Sequence, residues 1–359
     1  MIGIWMRRGW LSGDAGLGAA IYGDGLYDSS IDGAVTAQPY RYCYRDGAAD
    51  APLVVVMHGF GGDYTAISDS VLASIAAYGV VAVAVGMRGR SGRSGTPDCS
   101  GREIHDIYDA VDAIRTALAG VVSATVAVIV GYSGGGGNAL AAACKFPDSW
   151  ATVIDNFGMS DYDEWYDGAD GAGYRTTMEA WIGGTPAAAA DAYAARNART
   201  AIANYSGGHL FLYHDTEDAS VFVGQSQAID TALTAAARTN YTYSETDATD
   251  NPRWLHGYPE PGTQIARSID IWAPTVRDGD YAAWTIPASG EISVIGFVVT
   301  KRFAIWLGTG VDEVASVVYD TTTDSYTVTP LTGSVAVAIT QGAKSASQTI
   351  SEATAIVVT

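Results

Sequence analysis

Residues 131–135 read Gly-Tyr-Ser-Gly-Gly and place a single serine between an apolar run and a helical pattern. Ser133 has a glycine two positions away on each side, which is the G-x-S-x-G pattern of a nucleophile turn between a strand and a helix. The glycines let the helix pass close to the strand, and the helix N-terminus directs its amides toward developing negative charge. The pattern predicts that Ser133 is a nucleophile, although a plain strand-to-helix turn uses similar glycines.

A nucleophilic serine needs a base, and the chain has five histidines: His58, His105, His209, His214 and His256. Three of them end or bracket apolar runs, where burial is the expected fate. His105 lies among acidic residues in a helical pattern, and we expect it to be solvated. That leaves His256, in the loop segment NPRWLHGYPE, as the predicted general base.

The orienting acid should follow a strand that lies between the serine and the histidine. The run HLFLYHD is followed by TEDASV, so Asp215, Glu217 and Asp218 are all candidates. A carboxylate there can hold the second imidazole nitrogen and stabilise the imidazolium. The residues alone do not choose among the three.

A glycine loop, HGFGG at residues 58–62, follows the first apolar run. Backbone amides of such a loop can face the oxyanion that forms when the serine attacks a carbonyl. We predict that the amides of Phe60 and Gly134 form the oxyanion hole. An ordinary glycine turn is the alternative for this loop by itself.

Five short apolar runs alternate with helical patterns between about residue 36 and residue 270. This alternation predicts an α/β protein with a mostly parallel sheet flanked by helices. From about residue 271 the chain changes to β-branched runs with Gly, Asp and Thr at the breaks, which predicts a small antiparallel β domain. We therefore predict an N-terminal extension of unknown role (1–35), a catalytic domain (36–270) and a C-terminal β module (271–359).

These residues resemble an α/β-hydrolase, and within that fold the prolyl-oligopeptidase-like branch. The resemblance covers about residues 50–260 and includes HGFGG, the Arg-Gly-rich segment GMRGRSGRSG and GYSGG. The branch typically reads His-Gly-x-x-Asp followed by an apolar residue, and the Asp of this motif is its acid. His214 and Asp218 match the motif, with Asp215 in place of the glycine. The resemblance implies a triad of Ser133, Asp218 and His256.

The resemblance also implies serine hydrolase activity through an acyl-enzyme. Peptidases of this branch usually carry an N-terminal β-propeller that about 50 residues could not build, and the C-terminal module is not part of the pattern. We therefore expect a carboxylic-ester hydrolase acting on short-chain or carbohydrate-linked acyl esters. A serine peptidase or amidase with the same triad is one alternative, and a non-catalytic binding protein on this scaffold is another.

Composition limits the partners. The formal net charge is −19, which argues against nucleic acid and against anionic membranes. An acidic surface suits high salt, and a GC-rich genome would give a similar bias. Neither a secretory signal nor a transmembrane segment is evident, so we expect a cytoplasmic protein or one carried on a larger particle such as a virion.

No cofactor or metal site is predicted. The 3 cysteines have no CxxC spacing, and the segment DTTTDSYT reads as a hairpin turn because it lacks the spacing and final Glu of a calcium loop. The C-terminal module could contact carbohydrate or mediate assembly. Its candidate sugar-stacking residues are Trp272, Trp284 and Trp306, which could equally be core residues.

Overall fold

A computed structural model describes residues 18–247, 254–256, 268 and 284–359 of the chain. It contains two eight-stranded sheets, and the first carries the predicted catalytic residues. The strands of this first sheet are β1 (Ala20–Tyr27), β2 (Gln38–Arg45), β3 (Ala51–Met57), β4 (Val81–Val85), β5 (Val122–Tyr132), β6 (Thr152–Asn156), β7 (His209–Asp215) and β8 (Tyr241–Thr246).

The first sheet has the strand order β1-β2-β4-β3-β5-β6-β7-β8. Strands β4, β3, β5, β6, β7 and β8 are parallel, whereas β1 and β2 pair antiparallel at one edge. Every residue of β3 and of β4 is buried, as expected for central parallel strands that are covered on both faces. The carboxyl ends of the parallel strands meet at one edge of the sheet, where such folds bind ligands.

Seven helices connect the strands of the first sheet. They are α1 (Asp69–Ala76), α2 (Glu103–Ala117), α3 (Gly134–Lys145), α4 (Tyr162–Asp167), α5 (Arg175–Ile182), α6 (Ala190–Ala194) and α7 (Gly224–Ala235). All twelve residues of α3 are buried, so this helix lies inside the molecule. Within the described residues, no helix combines the length and apolarity that a membrane span would need.

The N-terminal extension has a structural role that the sequence analysis left open. Residues 20–27 form the edge strand β1, which pairs with β2 along its whole length. Two glycines of β1 face tyrosine rings of β2, and a Cβ on Gly23 would lie 2.3 Å from the Tyr42 hydroxyl oxygen. These glycines make room for the rings across the pair.

The C-terminal module is a separate antiparallel sheet with the strand order β15-β14-β11-β10-β9-β12-β13-β16. Its strands are β9 (Ser289–Ile295), β10 (Phe297–Val299), β11 (Ala304–Leu307), β12 (Val314–Asp320), β13 (Ser325–Pro330), β14 (Val335–Gln341), β15 (Lys344–Ile350) and β16 (Thr354–Val357). Ser345 N donates to Thr359 O over 3.3 Å, which brings the two sheet edges together. The sequence prediction of an α/β-hydrolase fold with a C-terminal antiparallel module is confirmed.

Buried polar groups join the module to the first sheet. The Lys145 ammonium, at the end of α3, donates to Ile295 O, and Arg196 donates to Val311 O over 2.6 Å. The Asn204 side chain makes two hydrogen bonds to the Ser293 backbone. The module is therefore packed against the helix that begins at the candidate nucleophile.

Two of the three tryptophans that could stack on sugars are described. The Trp306 ring is stacked on Phe297 with centroids 4.4 Å apart, and Trp284 packs against the core of the first sheet. Trp272 lies outside the described residues. Carbohydrate contact through the module stays a prediction, and Trp306 already uses a ring face within the protein.

Candidate active site

The candidate nucleophile lies on a strained turn at the carboxyl end of β5. Ser133 has φ 54° and ψ −126°, a combination that is sparsely populated for residues other than glycine. Its amide donates to Asn156 O over 2.9 Å, which fixes the turn to β6. A Cβ on Gly131 would lie 2.0 Å from Gly135 O, and a Cβ on Gly135 would lie 2.5 Å from Met57 O, so both positions of the motif need glycine.

The two predicted oxyanion donors lie side by side. A Cβ on Gly134 would lie 2.4 Å from the backbone nitrogen of Phe60, and a Cβ on Gly59 would lie 3.8 Å from the Ser133 Cβ. The HGFGG loop therefore passes directly over the start of α3, beside the serine. His58 holds this loop, because its Nδ1 contacts Gly59 O at 3.0 Å.

The candidate acid and base are in direct contact. His256 Nδ1 lies 3.1 Å from Asp218 Oδ2, and since an ionised carboxylate only accepts, the imidazole donates. Asp218 Oδ1 accepts from the amides of Ser220 at 2.8 Å and Val221 at 3.0 Å. The Asp218 side chain is buried, whereas the His256 imidazole is 21% exposed, so only the imidazole of this pair reaches solvent.

Electrostatics keep the acid charged. Burial by itself would raise the pKa of Asp218, but hydrogen bonds from His214 and His256 outweigh it and hold that pKa well below its ordinary value. His214 is buried, with its Nε2 3.4 Å from Asp218 Oδ2 and its Nδ1 2.7 Å from Ser226 Oγ. The carboxyl group that contacts His256 is therefore charged at neutral pH.

The other two acid candidates have different surroundings. Asp215 is buried and accepts from Thr246 Oγ1 over 2.6 Å, which ties the end of β7 to β8. Glu217 is exposed to solvent. The structure brings Asp218, and neither of these carboxylates, against His256.

Phe157 links the nucleophile to the base. Among the described residues, no hydrogen bond joins the Ser133 hydroxyl to His256, a bond that in free enzymes is often long until substrate binds. The Phe157 ring packs on the His256 imidazole with centroids 4.6 Å apart. Phe157 directly follows Asn156, whose carbonyl accepts from Ser133, and it has φ 47°. The sequence analysis missed Phe157 because nothing in its neighbours marks a contact with a distant histidine.

The remaining histidines do not reach the site as bases. His58 is buried, and burial lowers its pKa to about 4. The expectation that His105 is solvated is wrong. It packs between Phe146 and Phe297, with centroids 5.5 and 5.8 Å away, because the C-terminal module covers this face of α2.

An aromatic cluster encloses the side chain of Phe60. The rings of Trp165, Tyr174 and Trp181 have centroids 5.1, 5.5 and 5.1 Å from that of Phe60. These residues belong to α4, α5 and the segment between them. The cluster therefore stands directly beside a predicted oxyanion donor. Within the described part of the chain, His, Cys, Asp and Glu form no group of three or more that could hold a metal ion.

The fold together with a strained serine turn, a paired Asp and His, and two neighbouring backbone amides defines the class of α/β-hydrolase-fold proteins. A model of the prolyl oligopeptidase family matches residues 66–273. The chain therefore belongs to the prolyl oligopeptidase family. A search of curated proteins gives no match.

Solved structures share the fold at low sequence identity. The acylaminoacyl peptidase of Pyrococcus horikoshii has a TM-score of 0.59 and 16% identity over 73% of this chain and 42% of its own. A puromycin-hydrolyzing peptidase of Mycobacterium tuberculosis has a TM-score of 0.59 and 18% identity over 71% and 40% of the two chains. Esterase B of Lactobacillus rhamnosis has a TM-score of 0.54 and 16% identity over 72% and 86%. This chain thus spans less than half the length of the two peptidases.

Proposed function

We propose that this protein is a serine-dependent carboxylic-ester hydrolase. The observation that carries the proposal is the Asp218–His256 pair, 3.1 Å apart, at the sheet edge where Ser133 stands beside the amides of Phe60 and Gly134. This arrangement contains a nucleophile, a base with its orienting acid, and an oxyanion hole. Those are the parts that acyl transfer requires.

The proposed reaction has two halves. His256 Nε2 takes the Ser133 hydroxyl proton while the oxygen attacks the ester carbonyl carbon, and the amides of Phe60 and Gly134 bind the resulting oxyanion. The imidazolium then gives its proton to the leaving alcohol, and the C–O bond breaks to leave an acyl-enzyme. Water repeats the sequence on the acyl-enzyme, which releases the acid and restores Ser133.

The aromatic cluster supports a preference among acyl groups. Phe60 both supplies an oxyanion amide and packs its ring against Trp165, Tyr174 and Trp181. Rings beside the reacting carbonyl favour an acyl group that is short or aromatic, such as acetyl or a feruloyl-like group. Tyr174 is 42% exposed, so the cluster borders solvent where a polysaccharide-linked ester could enter.

A peptidase or amidase is the second candidate, favoured by the family match over residues 66–273. The same triad cleaves amides, whose leaving groups need more help from the general acid. The likeness to esterase B supports a preference for esters, and the match covers 86% of the esterase B chain. A binding protein that lacks turnover is the third reading.

The test compares p-nitrophenyl acetate, butyrate and octanoate with an aminoacyl p-nitroanilide, for wild type and Ser133→Ala. We expect turnover of the short esters to exceed turnover of the anilide and to disappear in the variant. Equal or faster turnover of the anilide would favour the peptidase. A folded wild-type protein that turns over none of these substrates would contradict the esterase proposal for short esters and favour the binding role.

A further inference from the structure

Residues 155–158 are the last two residues of β6 and the two that follow them, and they contact both the serine turn and the His256 ring. We name this segment the β6 exit. Asn156 O accepts the Ser133 amide over 2.9 Å, and its Nδ2 donates to Gly131 O over 2.9 Å. The next residue, Phe157, packs against His256. A shift of the β6 exit would therefore move the serine turn and the base together.

Asp155 holds the β6 exit in place. Its Oδ1 accepts the Gly158 amide over 2.7 Å, which closes the segment into a tight turn. A Cβ on Gly158 would lie 2.4 Å from that oxygen and 2.4 Å from the Gly136 carbonyl carbon, and a Cβ on Gly136 would lie 2.2 Å from the same Oδ1. The carboxyl is thus wedged between the β6 exit and the first turn of α3.

The second carboxyl oxygen of Asp155 lacks, within the described residues, the hydrogen-bond donors that a negative charge would need. The side chain is completely buried, and its Oδ2 has no hydrogen-bond partner among the described residues. A bare anionic oxygen in a buried site is far less favourable than a neutral carboxylic acid, because burial disfavours the charged form. Asp155 is therefore better suited to its site as an uncharged carboxylic acid.

We propose that Asp155 is a positioning residue that works as a neutral acid, holding the β6 exit so that Ser133 and His256 keep their relative places. The positioning role rests on the proposed function, because it presumes that these two residues react. The neutral state of Asp155 does not depend on any activity.

The surroundings of Asp155 agree with a neutral state below about pH 7. Burial raises its pKa to about 7, against smaller lowering effects of His214 on β7 and of the Gly158 amide. Tyr243 on β8 interacts electrostatically with Asp155. Burial and the neighbouring Glu245 raise the pKa of the Tyr243 hydroxyl. From α3, the nearest residue is Gly136, which carries no charge.

The first test measures thermal stability of wild type and Asp155→Asn between about pH 4 and pH 8.5. The folded protein holds this proton up to about pH 7, while the unfolded chain loses it near pH 4, so wild type loses stability across that window. We expect equal Tm values near pH 4 and a higher Tm for D155N at pH 8. A lower Tm for D155N at pH 8 would show that the native carboxylate is charged and favourably paired, and would overturn the neutral state.

The second test measures kcat and KM for p-nitrophenyl acetate. We expect D155N, which keeps an acceptor for Gly158, to stay within about threefold of wild type at pH 6.5, and the ratio of wild-type to D155N kcat to fall above pH 7. Asp155→Val removes the acceptor, and we expect kcat to fall about 10- to 100-fold with little change in KM. Thr152→Val is the matched control, since it removes a buried hydroxyl of the same strand that has no partner in the described structure, and should leave kcat unchanged.

The outcomes separate the two proposals. A D155V kcat equal to wild type, or a fall in kcat as large in T152V, would overturn the positioning role. If wild type hydrolyses no ester, the proposed function and the positioning role fail together. The stability test then still decides whether Asp155 is neutral.

Discussion

The two eight-stranded sheets of this chain differ in where they hold strain and buried polar groups. Nine non-glycine residues in the described structure have positive φ, and eight of them lie before residue 248. The ninth, Asp324, lies in the turn between β12 and β13 of the C-terminal module. At the first sheet's carboxyl edge, Ser133 and Phe157 are both strained and both contact the proposed site.

The burial patterns of the two sheets also differ. Strand β3 is buried at every position, whereas β14 alternates between buried and exposed residues. The module thus follows the ordinary pattern of an antiparallel sheet with one solvated face. Strain persists only where the surrounding structure enforces it, so we place the proposed chemistry at the edge of the first sheet and propose a supporting role for the module.

The largest effect should separate two neighbouring aspartates of the first sheet. Asp218→Asn replaces the charged partner of His256 with an amide that favours the wrong tautomer, and we expect kcat to fall about 10⁴-fold. Asp215→Asn is the matched control, because Asp215 contacts Thr246 rather than His256, and should keep kcat within about tenfold. Similar losses in both variants, at equal Tm, would contradict the assignment of Asp218 as the orienting acid.

A smaller loss should follow from Gly134→Ala. The new methyl would lie 2.4 Å from the Phe60 nitrogen and disturb both oxyanion donors, so kcat should fall by about 10²- to 10³-fold. Gly173→Ala, at a position with open space around it, serves as the control. An unchanged kcat in G134A would remove these amides from the site.

The stability of the protein should depend on pH through Lys145, which lies at the contact between the two sheets. Burial, with the charge of Arg196 adding to it, lowers the pKa of Lys145 to about 7. The unfolded lysine keeps its proton up to about pH 10, so the penalty for burying the charge is full below pH 7 and fades between pH 7 and pH 10.

Lys145→Met removes that penalty together with the donor to Ile295. We expect the Tm of K145M, relative to wild type, to fall steadily as pH rises from about 6.5 to 9.5. A pH-independent Tm difference would show that burial does not lower the pKa of Lys145. An unchanged kcat would agree with the supporting role of the module.

The smallest effect should come from the solvated face of the module. Val318 on β12 is 52% exposed, and Val318→Thr should change the free energy of unfolding by less than about 0.5 kcal/mol. Urea unfolding measures this, with Val317→Thr as the buried counterpart on the same strand. A loss in V318T as large as in V317T would mean that this face is covered by another molecule.

Most of the first sheet could be predicted from sequence, because strands buried on both faces are continuous apolar runs. The strained turn at Ser133 could also be predicted, since Gly131 and Gly135 leave room that no other residue would. Strand β1 was missed because two glycines weaken its strand pattern, and only the tyrosine rings opposite them explain why glycine is there.

Contacts between distant segments could not be predicted. The helical pattern around His105 shows only that its neighbours in the sequence are acidic. The module that covers His105 begins more than a hundred residues later. The burial of Asp155 and the packing of Phe157 on His256 likewise depend on where β6 meets α3 and the loop after β8. Such pairings carry no local signal in one sequence.

The central claim is that Ser133 is a nucleophile activated by His256 and Asp218. The most direct test is labelling with a fluorophosphonate probe, followed by mass spectrometry of the peptide that contains Ser133. We predict one label per chain on Ser133, no label in S133A, and much slower labelling in H256A with its fold intact. A folded wild-type protein that is not labelled, or equal labelling of S133A, would contradict the account.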